Sequence, residues 1–157
     1  MGIKVIQANI FDVPSDAVVN PVNCVGVMGA GLAKQFKHRH NENYRHYAAA
    51  CRERRVHIGQ MFVTRVDDGS PYKFIINFPT KFHWENGSKL EYIQEGMSSL
   101  IETIDLLEIQ SISIPPLGCG KGGLMWSIVK PVIVSYLEDK ANLDVKLFEP
   151  YDPNAAN

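Results

Sequence analysis

The stretch at residues 16–31, "DAVVNPVNCVGVMGAG", joins a strand pattern to a glycine-rich loop, and this junction decides the fold. Its first part, "DAVVN" (16–20), is a short β-branched apolar run that is typical of a buried strand. Glycines follow at positions 26, 29 and 31, and a helical pattern that includes "LAKQFKHR" begins near Ala30. A strand that runs through a glycine loop into a helix is the repeating unit of α/β proteins.

Five further apolar runs outside this segment have the length and composition of strands. They lie at residues 3–7, 60–66, 72–78, 111–114 and 144–149. The turn-rich link "DDGSP" between the second and third of these runs predicts that the two strands pair as a β-hairpin.

Helical patterns separate most of these strands, at residues 43–54, 90–107 and 126–139. Ser88 and Glu91 form the Ser-x-x-Glu pattern of a capping box before the second of these helices. Strands interleaved with helices predict a three-layer α/β/α sandwich around a mixed central sheet. We expect one domain over residues 1–150 and a frayed polar tail at residues 151–157.

The composition is that of a soluble globular protein. Of 157 residues, 45% are hydrophobic and 21% are charged, and no apolar run approaches the roughly 20 residues that span a bilayer. Cys24, Cys51 and Cys119 form no CxxC pair, and the N-terminus does not read as a secretion signal. We therefore expect reduced thiols, a cytoplasmic location and no membrane partner.

Charge is distributed unevenly, although the formal net charge is only −1. Residues 34–57 contain seven lysines and arginines against two glutamates, together with four of the five histidines. One interpretation is a solvated helical face, which is the ordinary fate of such a run. The other is a positive rim that follows a nucleic-acid backbone, and this makes the segment a candidate DNA contact.

Two glycine-rich loops follow predicted strands: residues 24–31, the first glycine loop, and residues 118–123, the second glycine loop. Glycine allows backbone N–H groups to turn toward an anion, and the first loop also runs into a helix N-terminus. Both loops together suit a pyrophosphate, whereas each alone is compatible with a simple tight turn. "GCGKGG" lacks the Ser or Thr of a P-loop, and "GAGLAK" lacks the third glycine of a Rossmann fingerprint.

Several polar side chains accompany these loops. Asn20 and Asn23 stand at the end of a strand, where their amides can bond sugar hydroxyls or simply close a turn. Cys24 and Cys119 have no histidine base near them in sequence, so we interpret them as small packing residues. His38 and His40 have no carboxylate or cysteine at ligand spacing, and we expect no metal.

One lysine stands out in the segment "IINFPTKFHW" (75–84). An apolar strand ends at Pro79, and Lys81 follows Thr80 at the mouth of that strand, before the rings of residues 82–84. Neighbours that exclude water disfavour the charged form of an amine and lower its pKa, which suits a nucleophile or proton donor. The alternative is an ordinary lysine on a surface loop.

The chain resembles the macrodomain family, an α/β/α fold that binds ADP-ribose, in three stretches: "ANIFDVPSDAVVNPVNCVGVMGAGLAKQFK", "NFPTKFHW" and "PPLGCGKGGL". The likeness covers about residues 3–150. "VNCVGVMGAG" followed by "NFPTKFHW" is similar, more narrowly, to the DarG branch, the antitoxins of DarT/DarG toxin–antitoxin systems.

The resemblance assigns different segments to different parts of ADP-ribose. Asn9 and Ile10 fall where the family binds adenine, although many macrodomains carry aspartate in place of Asn9. Asn23 and the two glycine loops match the residues around the distal ribose and the diphosphate. The implied ADP-ribose contacts are Asn9, Ile10, Asn20, Cys24, Val25, Gly26, Val27, Met28, Gly29, Ala30, Gly31, Leu32, Thr80, Leu117, Gly118, Cys119, Gly120, Lys121, Gly122, Gly123 and Leu124.

Lys81 matches the lysine on which hydrolysis depends in the DarG branch, and the resemblance implies catalytic roles for Lys81 and Asn23. The human terminal ADP-ribose hydrolase, a related branch, also uses an aspartate in the second glycine loop. Residues 120–123 of this chain contain no acid, so that lysine–aspartate mechanism is excluded.

The activity implied by the resemblance is that of a DNA ADP-ribosyl glycohydrolase. Such an enzyme would release ADP-ribose from thymidine in single-stranded DNA and so reverse a DarT-type ADP-ribosyltransferase toxin, with ADP-ribose as substrate moiety or product and no cofactor. Whether Lys81 is a nucleophile or a charge stabiliser stays open. Two rivals also stay open: hydrolysis of ADP-ribosylated protein or ADP-ribose-1″-phosphate, and binding of ADP-ribose without catalysis.

Overall fold

The computed structural model describes residues 2–150, so the predicted tail at 151–157 lies outside the described residues. The strands are β1 (Gly2–Ile6), β2 (Ala17–Val22), β3 (Phe62–Arg65), β4 (Phe74–Pro79), β5 (Ser111–Ile114) and β6 (Asp144–Phe148). The helices are α1 (Gly31–Arg39), α2 (Asn41–Arg52), α3 (Leu90–Leu106) and α4 (Trp126–Leu137), and a short 3-10 helix covers Ile10–Asp12.

The six strands form one mixed sheet in the order β1-β6-β5-β2-β4-β3. Every neighbouring pair is parallel except β3 and β4, which pair antiparallel with Arg65 opposite Phe74. The mixed sheet and the hairpin predicted from the sequence are therefore confirmed. The carboxyl ends of the five parallel strands lie at one edge of the sheet, which we call the carboxyl edge.

Helices cover both faces of the sheet and give it three layers. Alternate strand residues point to opposite faces, so Val19 and Ile76 pack with α3 and α4, whereas Val18 and Ile75 pack with α1 and α2. The α/β/α sandwich is confirmed, and both faces of β2 and β4 are buried because helices lie on each side.

The capping box predicted at Ser88 and Glu91 is wrong. Helix α3 begins at Leu90, its N-cap is Lys89, and no side chain caps it. The Ser88 hydroxyl instead donates to the carbonyl of Thr80, which the fold brings close and which a local pattern cannot reveal. The short helix at Ile10–Asp12 was also not predicted, because three residues are too few for a periodic signal.

In the described part of the chain, no helix is both long and apolar enough to cross a membrane. The three cysteines are free thiols. No group of three or more histidine, cysteine or carboxylate side chains that could hold a metal ion occurs within residues 2–150.

A buried histidine fixes the junction of α1 and α2. His40 is 7% exposed, its Nδ1 lies 3.0 Å from Asp68 Oδ2, and its Nε2 contacts the Tyr72 hydroxyl. A carboxylate only accepts, so Nδ1 carries the proton and a neutral ring accepts from Tyr72. Burial lowers the pKa of His40 below its ordinary value, and this effect outweighs the opposing charge of Asp68.

This histidine makes the protein less stable in acid. Its pKa is lower in the folded state than in the unfolded state, so its contribution is fully present above the unfolded value of 6.5 and is lost as pH falls toward the folded value. We expect the free energy of unfolding of His40→Gln, measured by urea denaturation between about pH 7.5 and 5.5, to depend less on pH than that of the wild type. His38→Gln, at an exposed histidine, is the matched control; equal slopes for wild type and His40→Gln would contradict the assignment.

Candidate functional site

Four segments singled out in the sequence follow the carboxyl ends of four parallel strands. Residues 9–10 follow β1, the first glycine loop follows β2, Lys81 follows β4, and the second glycine loop follows β5. The register places Val22 beside Pro79, so β2 and β4 end side by side. The fold therefore brings these segments to the same edge of the sheet, where open α/β proteins bind ligands.

Residues 80–88, which we call the lysine loop, connect the two glycine loops. At one end, the Cys24 N–H donates to the Phe82 carbonyl at 2.8 Å. At the other end, the Ser88 N–H donates to the Gly122 carbonyl at 2.8 Å. Both glycine loops are thus fixed to one segment and lie on the same side of the molecule.

The first glycine loop presents backbone N–H groups to solvent. Gly26 and Gly31 adopt φ of +84° and +57°, which bend the chain before α1. Helix α1 has no side-chain cap, and the amides of residues 28–33 have no acceptor among the described residues. Unpaired amides at a helix N-terminus favour an anion such as a phosphate.

The second glycine loop is a tight turn that needs glycine at two positions. Gly118 has φ of +73°, and a Cβ there would lie 2.9 Å from Leu124 Cδ1. A Cβ on Gly122 would lie only 2.5 Å from the Gly118 carbonyl oxygen. The Leu124 N–H closes the turn by donating to that same carbonyl at 2.9 Å.

Lys81 is partly buried, and its Nζ donates to the Trp84 carbonyl at 3.1 Å. Its pKa is lowered, first by burial and second by the ammonium of Lys121 in the second glycine loop. The direction agrees with the expectation from the sequence. The surroundings of Lys81 differ from that expectation, because Phe82 and Trp84 are 61% and 51% exposed and do not enclose the amine.

Asn23, for which the resemblance implies a catalytic role near the distal ribose, makes its hydrogen bonds within and behind the first glycine loop. Its Oδ1 accepts from the Val25 N–H at 3.0 Å and from the Tyr47 hydroxyl at 2.8 Å, and its Nδ2 donates to the Val27 carbonyl at 2.8 Å. The side chain is therefore occupied in shaping the first glycine loop.

Asn20 was predicted to contact the ligand, but its side chain is fully buried and offers no surface to a ligand. Its Nδ2 donates to Asn77 Oδ1 at 3.1 Å, and Asn77 forms a reciprocal amide pair with Asn43 of α2 at 3.2 and 2.9 Å. This buried amide network ties β2, β4 and α2 together beneath the first glycine loop. Leu117 is likewise fully buried, in the core beneath the second glycine loop.

The remaining predicted positions divide into exposed and packed ones. Asn9 is exposed, but its Oδ1 accepts from the Phe11 N–H at 3.0 Å and so caps the 3-10 helix. Ile10 and Thr80 are buried. Burial raises the pKa of both the Cys24 and Cys119 thiols to about 11, which suits packing residues and not nucleophiles.

Tyr47 and Asn43 on α2 support the candidate site and were not singled out in the sequence. Tyr47 is fully buried, and its hydroxyl reaches both the carbonyl and Oδ1 of Asn23 at 2.8 Å. Asn43, one turn earlier, holds Asn77. A signal existed, since two polar groups four residues apart on the buried face of a helix need buried partners.

Replacing Tyr47 with phenylalanine should lower the free energy of unfolding by about 1–3 kcal/mol, because Asn23 loses a buried donor. Urea denaturation measures this change. Tyr44→Phe is the control, since the Tyr44 hydroxyl is partly exposed and lies 3.3 Å from the Gly26 carbonyl. Equal losses for the two variants would contradict a special role of Tyr47.

Residues 19–133 match the family described as "Macro domain". The chain belongs to the macrodomain family, in agreement with the fold, with both glycine loops and with the resemblance found in the sequence.

Individual relatives and solved structures are similar to this chain over most of its length. The chain is 41% identical, over 150 residues, to the DNA ADP-ribosyl glycohydrolase of Thermus aquaticus, and the match covers 96% of this chain but 42% of that protein. Its structure matches the macrodomain of Mycobacterium tuberculosis DarG with a TM-score of 0.94 and 43% identity, over 96% of this chain and 100% of the other. It also matches Thermosipho africanus DarTG in complex with ADP-ribose, with a TM-score of 0.87 and 29% identity, over 98% and 44% of the two chains.

Proposed function

We propose that this macrodomain binds ADP-ribose and hydrolyses it from thymidine in ADP-ribosylated DNA. The observation that carries the proposal is the lysine loop, which is bonded to both glycine loops and holds a partly buried amine between them. The printed name of the Thermus aquaticus relative, DNA ADP-ribosyl glycohydrolase, supports it. The chain spans 42% of that relative's length, so the activity is proposed for this domain alone.

ADP-ribose would lie along the carboxyl edge. The unpaired amides of residues 28–33 and the second glycine loop would hold the diphosphate from two sides. The adenine end would lie toward Asn9 and the distal ribose toward Lys81. Asn20 and Asn23 would act from behind the first glycine loop by fixing its shape.

The reaction breaks the bond between the anomeric carbon of the distal ribose and the thymine base. Positive charge develops on the sugar and negative charge on the departing base. We infer that the neutral Lys81 amine attacks the anomeric carbon as the thymine leaves with the bonding electrons and takes up the proton that the amine loses. The resulting glycosylamine opens its ribose ring to an imine, which water then hydrolyses. The lowered pKa of Lys81 supports this role because it enlarges the neutral fraction of the amine.

An ammonium at Lys81 could instead donate a proton to the departing thymine. Borohydride reduction during turnover separates the two roles, since it converts an imine into a stable adduct. We expect ADP-ribose to become attached at Lys81. Turnover without any adduct would favour the proton-donor role.

The DNA strand would be single-stranded or would have its modified base flipped out, because a paired base cannot reach a cleft in the protein. The modification would come from a DarT-type ADP-ribosyltransferase toxin, which this domain would oppose as an antitoxin and a DNA-repair enzyme in the cytoplasm. The name of the Thermosipho africanus structure, DarTG in complex with ADP-ribose, supports this pairing.

Three substrates test the proposed activity against its rivals: an oligonucleotide ADP-ribosylated on thymidine, glutamate-ADP-ribosylated protein and ADP-ribose-1″-phosphate. We expect rapid release of ADP-ribose from the oligonucleotide. Release only from the protein or the phosphate would replace the proposed substrate, and binding of ADP-ribose without release from any of them would indicate a reader.

The basic segment at residues 34–57 gives a further prediction about DNA. Arg52, Arg54 and Arg55 are exposed at the end of α2, and Arg55 Nε pairs with Glu53 at 3.1 Å. Changing the three arginines to alanine should weaken DNA binding and flatten its dependence on salt, because fewer counterions are released. Fluorescence anisotropy at several salt concentrations measures both effects.

The matched control removes three exposed cations outside the basic segment: Lys4 on β1, Arg65 at the end of β3, and Lys73 before β4. These changes lower the net charge equally, so a similar loss of DNA binding would show that total charge is responsible and not the basic segment. Unchanged binding by the arginine variant would remove the segment from the DNA interface.

A further inference from the structure

The lysine loop exposes two large aromatic side chains beside the candidate catalytic amine. Phe82 is 61% exposed and Trp84 is 51% exposed, and the His83 ring packs against Trp84 with centroids 5.0 Å apart. Exposed apolar area costs free energy in proportion to its size, so two such rings two residues apart need a reason.

Hydrogen bonds fix the backbone of the lysine loop. The Phe82 carbonyl accepts from the Cys24 N–H at 2.8 Å, and the His83 carbonyl accepts from the Asn86 N–H at 3.0 Å. His83 Nδ1 also accepts from the Glu85 N–H at 3.1 Å, and the Trp84 carbonyl accepts from Lys81 Nζ. These four hydrogen bonds, two of which involve the side chains of His83 and Lys81, hold the backbone in a conformation in which both rings are exposed.

The proposed substrate determines what lies next to these rings. The thymine is bonded to the sugar carbon that Lys81 meets, so the DNA strand must leave the site past the immediate neighbours of Lys81. Nucleobases stack on aromatic side chains whatever their sequence. Lys121 lies close enough to Lys81 to lower its pKa, so it supplies positive charge beside the lysine loop that suits the phosphates of a strand.

We propose that Phe82 and Trp84 form an aromatic platform that stacks the bases flanking the ADP-ribosylated thymine in single-stranded DNA. This inference rests on the proposed function and adds a specificity to it. The platform makes an oligonucleotide a better substrate than the modified nucleoside, because only the oligonucleotide has flanking bases.

The test compares two substrates, ADP-ribosylated thymidine and a short single-stranded oligonucleotide with one ADP-ribosylated thymidine. Trp84→Ala should reduce the preference for the oligonucleotide, measured as the ratio of the two kcat/KM values, by roughly 5- to 150-fold. Phe82→Ala should act in the same direction. Trp84→Phe, which keeps a stacking ring, should restore most of the preference.

A third substrate isolates the stacking itself: the same oligonucleotide with abasic sites on both sides of the modified thymidine. Wild-type protein should lose on this substrate about what Trp84→Ala loses on the intact one, and Trp84→Ala should lose little more. Leu106→Ala is the matched control, since this leucine is 82% exposed at the far end of the 17-residue helix α3, about 24 Å along its axis from Leu90.

The outcomes distinguish this inference from the proposed function. If the wild type releases ADP-ribose from neither DNA substrate, the proposed function fails. If it acts on both and Trp84→Ala keeps the wild-type preference, or responds equally with and without flanking bases, the aromatic platform is wrong. A change in oligomeric state for Trp84→Ala in sedimentation, with an unchanged oligonucleotide preference, would assign the rings to a protein partner and also overturn the inference.

Discussion

Replacing Lys81 with alanine should reduce the release of ADP-ribose from modified DNA at least about a hundredfold in kcat. The amine is the candidate group that meets the distal sugar, and alanine offers neither a nucleophile nor a proton donor in its place. ADP-ribose affinity should change little, because the diphosphate would be held by backbone amides that the substitution leaves in place. Single-turnover release and calorimetric binding of ADP-ribose measure the two quantities.

Two variants sharpen this experiment. Lys81→Arg keeps a permanent positive charge but removes a nucleophilic amine, so it should be as inactive as the alanine variant if the amine attacks the sugar. Lys89→Ala, at the exposed lysine after the same loop, controls for a general loss of charge. Turnover by Lys81→Ala at the wild-type rate would end the proposal for this residue.

The dependence of the rate on pH provides an independent check on Lys81. Because burial and the Lys121 ammonium lower its pKa below 10.5, the neutral amine is present at a lower pH than in a free lysine. An attacking amine gives a rate that rises with pH through the pKa of Lys81. Lys121→Ala removes a neighbouring positive charge, so it should raise that pKa and move the rise to higher pH.

Changing Gly122 to alanine should weaken ADP-ribose binding at least about tenfold and lower the free energy of unfolding by about 1–3 kcal/mol. The new Cβ would lie 2.5 Å from the oxygen and 2.9 Å from the carbon of the Gly118 carbonyl. These are backbone atoms and cannot rotate away, so the turn that shapes the second glycine loop must open. Calorimetry and urea denaturation measure the two effects.

Gly120→Ala is a closely matched control, because it adds the same methyl group two residues earlier in the same loop. A Cβ on Gly120 meets nothing within 4 Å, and its backbone is outside the left-handed region that favours glycine. This variant should unfold with the free energy of the wild type, so it controls for the effect of Gly122→Ala on stability. Equal losses of stability in the two variants would show that the loop tolerates no side chain at either position. The clash with the Gly118 carbonyl would then not be the cause of the loss.

Much of the fold could be predicted from the sequence because its signals are local. Apolar runs marked the strands, periodic apolar residues marked the helices, and their alternation predicted the α/β/α sandwich. The position of Lys81 after β4 and of both glycine loops after β2 and β5 also followed from the order of residues. The carboxyl ends of parallel strands lie at one edge of a sheet. Segments that directly follow such strands in the sequence therefore meet at that edge in the fold.

The differences from expectation arose where a side chain bonds a partner that a short sequence pattern does not specify. Ser88 matched a local capping pattern but donates to Thr80, and Asn23 matched a ligand contact but bonds its own loop and Tyr47. In both cases the nearest partner in space is set by how the strands and helices pack. The same reason explains why Tyr47 was missed, since its 24-residue separation from Asn23 leaves no local pattern.

The order of residues by itself determined the family, the layers of the sandwich and which segments meet at the carboxyl edge, because these depend on short-range patterns and on chain direction. Only the tertiary structure decided which polar groups remain free for a ligand. A hydrogen bond forms with whichever partner lies within about 3 Å after folding. That choice left the amides of α1 and the amine of Lys81 at the surface of the site, and it buried the amides of Asn20 and Asn23 behind it.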